Sequence, residues 1–433
     1  VRDLLVIADD LSGAADCGIA CASHGLSTLV VLGDTAGEID TDVLSVDGNT
    51  RHLDSAKAAA ETARLVRKYI YDEGQLLFKK VDSTLRGNVA AELAAALETR
   101  RRVALNNRHI VAVLAPAFPA SGRTTSSGWQ LVHGKPLEET ELWQRESLPA
   151  RSHIPEMLRA VGLRPALIGL NLIRSGKEIL QGAMKTLSAD TDVLVCDAES
   201  EQDLSAIADA SMALGRSTIW AGSAGLAYHL PPAAGFAYGV GYPPVSSLDQ
   251  PLASGPTLFV VGSLSSVSRE QVKVLAASSD VITFNIPPNT LLAGETSPDW
   301  REHELALKQA LDAGIDVAVG PGAKSLDRTM GQILSAALAR MVEPYADRIG
   351  GLVATGGESA RAVLEAWGIH RLRLVSELEA GLACSVTEGW SGLLPVLTKA
   401  GAFGTPQTLL NCWGFLHRLD RSSTANLCQS KGL

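Results

Sequence analysis

Short apolar runs recur along the chain, and nearly every one ends in a polar or glycine-rich turn that opens into an alanine-rich stretch with helical spacing. Continuous apolar runs mark strands buried on both faces, as in parallel sheets, whereas half-buried strands alternate. Leu4-Leu5-Val6-Ile7-Ala8 predicts the first strand, residues 14–22 a helix, and residues 27–32 a second strand completing a βαβ unit. Residues 43–46, 75–81 and 109–114 predict further strands, with a helix over residues 89–97. Phe259-Val260-Val261, Val317-Ala318-Val319, Leu352-Val353-Ala354 and Pro395-Val396-Leu397-Thr398-Lys399 predict a second set, with helices running through Leu275 and Trp367. The predicted fold class is α/β: two lobes, each a mainly parallel sheet flanked by helices, with a ligand cleft between them. Prolines, glycines and serines crowd residues 231–256 without periodicity, which predicts a linker between a domain over 1–230 and another over 257–433.

Composition narrows the partners. The chain has 433 residues, 46% hydrophobic and 20% charged, enough for two or three domains and too apolar for disorder. A net charge of -9 without a run of Lys and Arg argues against nucleic acid and against an anionic membrane surface. No apolar run reaches the roughly 18 residues of a membrane span and no signal-peptide pattern is visible, so a cytoplasmic location is expected. The six cysteines include no CxxC pair and read as reduced, with Cys17 and Cys21 sharing a core-facing side of a helix. No histidine has a zinc-like spacing to another ligand.

The candidate chemistry lies where predicted strands end. Asp9 and Asp10 follow the first strand, at the end where βαβ units bind ligands. One of them caps the next helix in the plainer reading, but a cap accounts for only one. The run at 75–81 leads into Asp82-Ser83-Thr84-Leu85-Arg86-Gly87-Asn88, a turn able to pair with a carboxylate and several hydroxyls, as a small sugar acid requires. Alternation sends Lys79 and Lys80 to opposite faces, one of them solvated in the simplest case. In the competing reading Asp82 or Ser83 caps the helix and Arg86 is a surface residue. Arg51 is either a second carboxylate clamp or a solvated loop arginine. Residues 115–124 contain two prolines and read as a rigid loop walling a pocket or simply packing. Beyond the linker, Gly262-Ser263, Thr355-Gly356-Gly357-Glu358-Ser359 and Ala400-Gly401-Ala402-Phe403-Gly404 are three strand-to-helix turns of the kind that accept phosphate. Neither a P-loop nor a dinucleotide fingerprint accompanies them.

Taken in order, Ile7-Ala8-Asp9-Asp10-Leu11-Ser12-Gly13-Ala14-Ala15-Asp16, Lys79-Lys80-Val81-Asp82-Ser83-Thr84-Leu85-Arg86-Gly87, Gly222-Ser223-Ala224-Gly225-Leu226, Val261-Gly262-Ser263, Thr355-Gly356-Gly357-Glu358-Ser359 and Lys399-Ala400-Gly401-Ala402-Phe403-Gly404 resemble the four-carbon acid sugar kinase family. Ser12 stands where many members have threonine, which keeps the hydroxyl. The resemblance implies ATP-dependent phosphorylation of the terminal (4-) hydroxyl of threonate, erythronate or 3-oxo-tetronate, with a substrate-binding amino-terminal domain and a nucleotide-binding carboxyl-terminal one. By position it implies substrate contacts at Asp10, Arg51, Lys80, Val81, Asp82 and Ser83, and nucleotide contacts at Ser263, Thr355, Gly356, Gly357, Glu358 and Gly401. On that basis Arg51, Lys80 and Arg86 are expected to hold the substrate carboxylate. Asp10 is expected to orient or deprotonate the acceptor hydroxyl, with Asp9 and Asp82 as alternatives. Mg²⁺ is expected to ride on the phosphates without a dedicated protein metal site. The expected partners are a sugar acid and ATP, and a homo-oligomer is compatible with this reading. An NAD-dependent sugar-acid dehydrogenase, a non-catalytic sugar-acid sensor and a kinase for another small polyol acid are the rival functions.

Overall fold

Five successive residues with almost no solvent contact, Leu4–Ala8, form strand β1. The computed structural model describes residues 3–35, 37–72, 74–104, 109–140, 143, 152–236, 252–322, 330–390, 392–401 and 403–418. The chain divides into two compact units, the first from residues 1–28 and 36–241 and the second from residues 29–35 and 242–433.

In the first unit, β3 (Val43–Asp47) and β4 (Leu76–Lys80) pair in parallel with the two flanks of β1. With β5 (Ala112–Ala115), β9 (Pro165–Ile168), β10 (Val193–Cys196) and β11 (Ile219–Gly222), they form a parallel sheet ordered β3-β1-β4-β11-β5-β10-β9. Helices α1 (Leu11–Ala22), α2 (Ser55–Tyr69) and α3 (Val89–Val103) follow β1, β3 and β4. The chain leaves β1 for a strand on one side and then crosses to the other. The carboxyl ends of β1, β3 and β4 therefore lie at a topological switch point, where α/β sheets open a crevice for ligands.

Several elements differ from the sequence expectation. Helix α1 starts at Leu11 rather than residue 14, because the Asp10 side chain caps it. Helix α3 runs on to Val103, six residues past the expected end; its last turn carries Arg100, Arg101 and Arg102, which suit the negative end of the helix dipole. Arg100 is buried and donates to the Gln75 carbonyl at 2.8 Å. Strand β2 (Thr28–Leu32) is not a direct neighbour of β1, both of whose flanks are occupied. It instead serves the second unit, where Leu29, Val30 and Val31 pair antiparallel with Arg373, Leu372 and Arg371.

The helix Ala224–Ala233 also continues through Pro231 and Pro232 into the expected linker. The prolines forfeit hydrogen bonds only in its last turn, and the Ala234 amide still donates to the Leu230 carbonyl at 2.9 Å. Residues 237–251 of the expected linker lie outside the described residues. The proline-containing stretch is not only a loop: it leads into a small antiparallel sheet of β6 (Arg123–Ser126), β7 (Trp129–Val132) and β8 (Lys135–Pro136).

The second unit orders its strands β13 (Ile282–Ile286), β14 (Val317–Pro321), β12 (Thr257–Val261), β15 (Gly351–Thr355), β18 (Pro395–Lys399), β17 (Leu382–Thr387), β16 (Arg371–Glu379) and β2. The first five are parallel and the remaining pairings antiparallel. Each unit has its own core, around Phe78 and Trp220 in the first and around Phe259 and Phe415 in the second. Among the described residues no helix is long and apolar enough to cross a membrane.

The alternation along β4 places both lysines inside, against the expectation that one is solvated. Lys79 is 1% exposed and pairs at 2.6 Å with Glu92 of α3, and its ammonium also donates to the Lys80 carbonyl at 2.9 Å. Removing one partner of such a pair strands a buried charge, at a cost of about 3–5 kcal/mol. Glu92→Ala should therefore lower the urea-unfolding free energy by about that amount, while the double variant Lys79→Met/Glu92→Leu should recover most of it. A single variant as stable as the wild type would show that the pair has no structural weight.

Candidate active site

Three turns meet at the ends of β1, β3 and β4, and backbone hydrogen bonds fix their relation. The Asp9 carbonyl accepts from the amides of Thr50 at 3.0 Å and Arg51 at 3.2 Å, which draws the turn after β3 over the end of β1. The Asn88 amide nitrogen Nδ2 donates to the Leu53 carbonyl at 2.9 Å, tying in the turn after β4. Gly87 has φ +81°, and a Cβ there would lie 3.1 Å from Asp9 Oδ2, so this position favours glycine on both counts.

Arg51 is the hub. Its Nε and Nη2 donate to the two carboxylate oxygens of Asp9 at 2.7 and 3.0 Å, and its Nη1 donates to Asp10 Oδ2 at 2.5 Å. Asp10 uses its other oxygen to cap α1, accepting from the Gly13 amide at 2.8 Å. The helix-capping alternative thus holds for Asp10, and the neighbouring acid is taken up by the arginine. Asp82 forms a two-point pair with Arg86 at 2.8 and 2.9 Å and accepts from the Thr84 hydroxyl. It lies 3.9 Å from Arg51 Nη2. Asp82 does not cap α3, whose cap position is Asn88, and Arg86 is partly exposed but held by Asp82.

Lys80 differs from both arginines. It is buried and forms no ion pair among the described residues. A Cβ placed on Gly13 would lie 2.8 Å from Asp10 Oδ1 and 2.9 Å from Lys80 Nζ, so an acid and an ammonium converge on the first turn of α1. The Asp10 side chain is 19% exposed, against 4% for Asp9 and 10% for Asp82, making it the most accessible of the three candidate acids. Val81 is buried and donates its amide to the Gly222 carbonyl at 2.8 Å. The Ser83 carbonyl accepts from Gln130 Nε2 of β7 at 2.7 Å, so the small sheet braces this turn. Neither Gln130 nor the Lys79–Glu92 pair was apparent from the sequence; an acid beside Leu93 and Ala96 on an otherwise apolar helix side was the available signal for the latter.

The charges tune one another. Burial would raise the Asp9 carboxyl, but Arg51 and Lys80 outweigh it and hold it below the ordinary range. Burial also opposes ionisation of Asp82, yet Arg86, Arg51 and Lys80 hold it well below that range. Burial pulls Lys80 down while Asp9 leads the acids that raise it, and the net direction is upward. Asp9, Asp82 and Lys80 are therefore ionised at neutral pH.

In the second unit the three expected glycine turns follow β12, β15 and β18, which are adjacent strands. Gly401 lies so close to Ser263 that a Cβ would stand 2.3 Å from the serine oxygen, and a Cβ on Gly356 would come within 3.9 Å of the Ser263 amide nitrogen. The turns thus converge on Ser263. The Gly356 amide donates to the Lys399 carbonyl at 2.9 Å, and Gly357 and Glu358 open the helix Gly357–Ala366. Thr355 Oγ1 is buried without a hydrogen-bond partner among the described residues. This lining of backbone turns and hydroxyls fits a phosphate chain. Ala402 of the third motif lies outside the described residues.

Known proteins match these two regions separately and together. A model described as a sugar-binding N-terminal domain matches residues 4–230, and one described as a nucleotide-binding C-terminal domain matches residues 258–409. A D-threonate kinase of Cupriavidus necator is 39% identical over 421 residues, covering 94% of this chain and 97% of that protein. A D-threonate kinase of Salmonella typhimurium is 29% identical over 96% of this chain and 99% of that protein. The crystal structure of Haemophilus influenzae protein HI1011 shares the fold, with a TM-score of 0.72 at 19% identity over 95% of this chain and all 100% of that one.

Because Asp9 and Asp82 are depressed below the ordinary 3.8, the stability they contribute is complete above that value and is lost as pH falls through their folded-state values. Unfolding free energy should hold steady down to about pH 5 and decline below about pH 4. Asp82→Asn should be less stable at pH 7 and decline less steeply in acid. Parallel acid profiles for the variant and the wild type would refute this account of Asp82.

Proposed function

Because the chain belongs to the four-carbon acid sugar kinase family, we propose that it transfers the γ-phosphoryl group of ATP to the terminal 4-hydroxyl of a four-carbon sugar acid, with D-threonate the first substrate to test. The sugar acid belongs to the first unit and the nucleotide to the second. The observation that carries this reading is the convergence of an accessible acid, Asp10, with an ammonium that has no carboxylate of its own, Lys80. A sugar acid brings both partners they call for, a hydroxyl and a carboxylate.

The geometry refines the roles. Lys80 takes the substrate carboxylate as its counterion. Arg51 already carries Asp9 and Asp10, so its main task is to hold Asp10 in place, and Arg86 does the same for Asp82. Residues 81–83 line the acceptor with a braced backbone and the Ser83 hydroxyl. Asp10 keeps lone pairs for the acceptor hydroxyl beyond those used by Gly13 and Arg51. Phosphoryl transfer asks mainly for positioning and charge stabilisation, so an acid that orients the hydroxyl suffices.

In the second unit, Ser263, Thr355, Gly356, Gly357, Glu358 and Gly401 hold the phosphates through backbone amides and hydroxyls. Glu358, in the first turn of its helix, is a carboxylate whose chemistry suits Mg²⁺ brought in with the nucleotide. The metal supplies neutralisation of phosphate charge.

Incubated with Mg-ATP and D-threonate, the protein should release ADP and form a 4-phosphorylated acid, measured by coupled assay and mass spectrometry across the D- and L-threonate, erythronate and 3-oxo-tetronate panel. Asp10→Asn should lower kcat by about 10²–10⁴. A near-normal rate in that variant would remove Asp10 from the mechanism. Binding of a sugar acid with no ADP release from any panel member would favour the sensor function instead.

A further inference from the structure

Lys399 ends β18 and is 3% exposed, yet no carboxylate forms an ion pair with it among the described residues. Its ammonium donates to the Ala400 carbonyl at 3.1 Å and reaches the Gly401 carbonyl at 3.5 Å. The same Gly401 carbonyl accepts from the Ser265 and Ser268 hydroxyls at 2.8 and 2.6 Å. Lys399 is the register partner of Thr355 on β15, the residue whose buried hydroxyl has no partner. A buried cation met only by carbonyl dipoles is costly, and an anion nearby removes much of that cost. On these strand ends the chemistry that answers both an ammonium and a hydroxyl is a phosphate.

The geometry points to Lys399 as the residue that supplies positive charge to the nucleotide's phosphates in the second unit. The inference rests on the nucleotide-binding reading above and adds a residue to it. Two titratable groups face the lysine. Glu379, at the end of β16, is engaged by the Thr408 hydroxyl and Asn411 Nδ2. Cys412, in the helix Thr408–Arg418, has its thiol pushed far up by burial and stays neutral. Burial lowers Lys399 itself to about 8. The lysine is then partly neutral in mildly alkaline solution, and phosphate binding draws it back to the charged form with uptake of a proton.

Calorimetric titration of the full chain with ADP at pH 8.5, in buffers of different ionisation enthalpy, should show uptake of roughly half a proton or more per nucleotide. The ADP affinity should weaken by up to about tenfold per unit above pH 8. Lys399→Arg, whose guanidinium stays charged throughout, should bind ADP with no proton uptake and a flat pH profile. Lys399→Met should bind ADP at least tenfold more weakly at pH 7 while its circular dichroism spectrum and cooperative thermal unfolding show the whole chain folded. Nucleotide binding by the wild type with no proton uptake, or equal ADP affinity in Lys399→Met, overturns the role of Lys399 and leaves the nucleotide site standing. No nucleotide binding by the wild type overturns both.

Discussion

Charge buried at the ends of parallel strands must be neutralised within a few ångströms, and the first unit is organised around that requirement. Asp9, Asp82 and Glu92 are each nearly excluded from water, and each faces a cation supplied by a different part of the chain or by its own turn. Arg51 does this for two consecutive aspartates at once, with a planar guanidinium whose geometry allows one two-point contact and one further hydrogen bond. A lysine there has the charge but not the fork. Once these pairs are made, Lys80 is left with no ion pair among the described residues, and Asp10 is the most accessible of the three candidate acids. The proposed substrate site thus rests on an imbalance left after internal pairing, rather than on the number of charged residues in the motifs.

The sheet architecture was legible because burial on both faces writes itself into sequence as short apolar runs, and β1, β4, β12, β15 and β18 are each built on one. Which strand pairs with which was less legible. Residues 27–32 have the length and composition of a neighbour to β1, but periodicity records the faces of a strand and not the identity of its partner. With both flanks of β1 taken, that segment pairs antiparallel with β16. The extent of α3 has another cause: Arg100, in its last turn, is buried and donates to the carbonyls of residues 72 and 75.

The candidate site was legible in its members and not in their connections. Strand-end turns in α/β proteins carry the chemistry, so Asp9, Asp10, Arg51 and residues 80–86 could be picked out by position alone. Their pairing crosses 41 or 42 residues of chain between Arg51 and the two aspartates, and nothing local encodes it. Position alone offers Arg51, Lys80 and Arg86 alike to a substrate carboxylate, and only the structure shows that Arg51 and Arg86 also pair with protein carboxylates. Lys79 erred the other way: alternation correctly turned it away from Lys80, but only the packed structure reveals Glu92 waiting on that side.

The second unit reaches its proposed task by a different physical route. Its glycines are demanded first by the backbone: a Cβ on Gly262 would overlap Ser359 at 1.7 Å, and one on Gly401 would collide with Ser263. Close packing of that kind explains the glycines without any ligand, so the glycines alone are weak evidence for phosphate. The stronger evidence is that three such turns lie on neighbouring strands and share Ser263, above a buried lysine and an unsatisfied threonine. A P-loop presents its lysine from the start of a helix, directly after the glycine-rich turn. Here the lysine closes the strand instead, and its own turn folds back over it through the carbonyls of Ala400 and Gly401. A charge so placed acts through a low-dielectric interior instead of a solvated loop, which strengthens its attraction for an anion and equally makes its protonation sensitive to whether that anion is present.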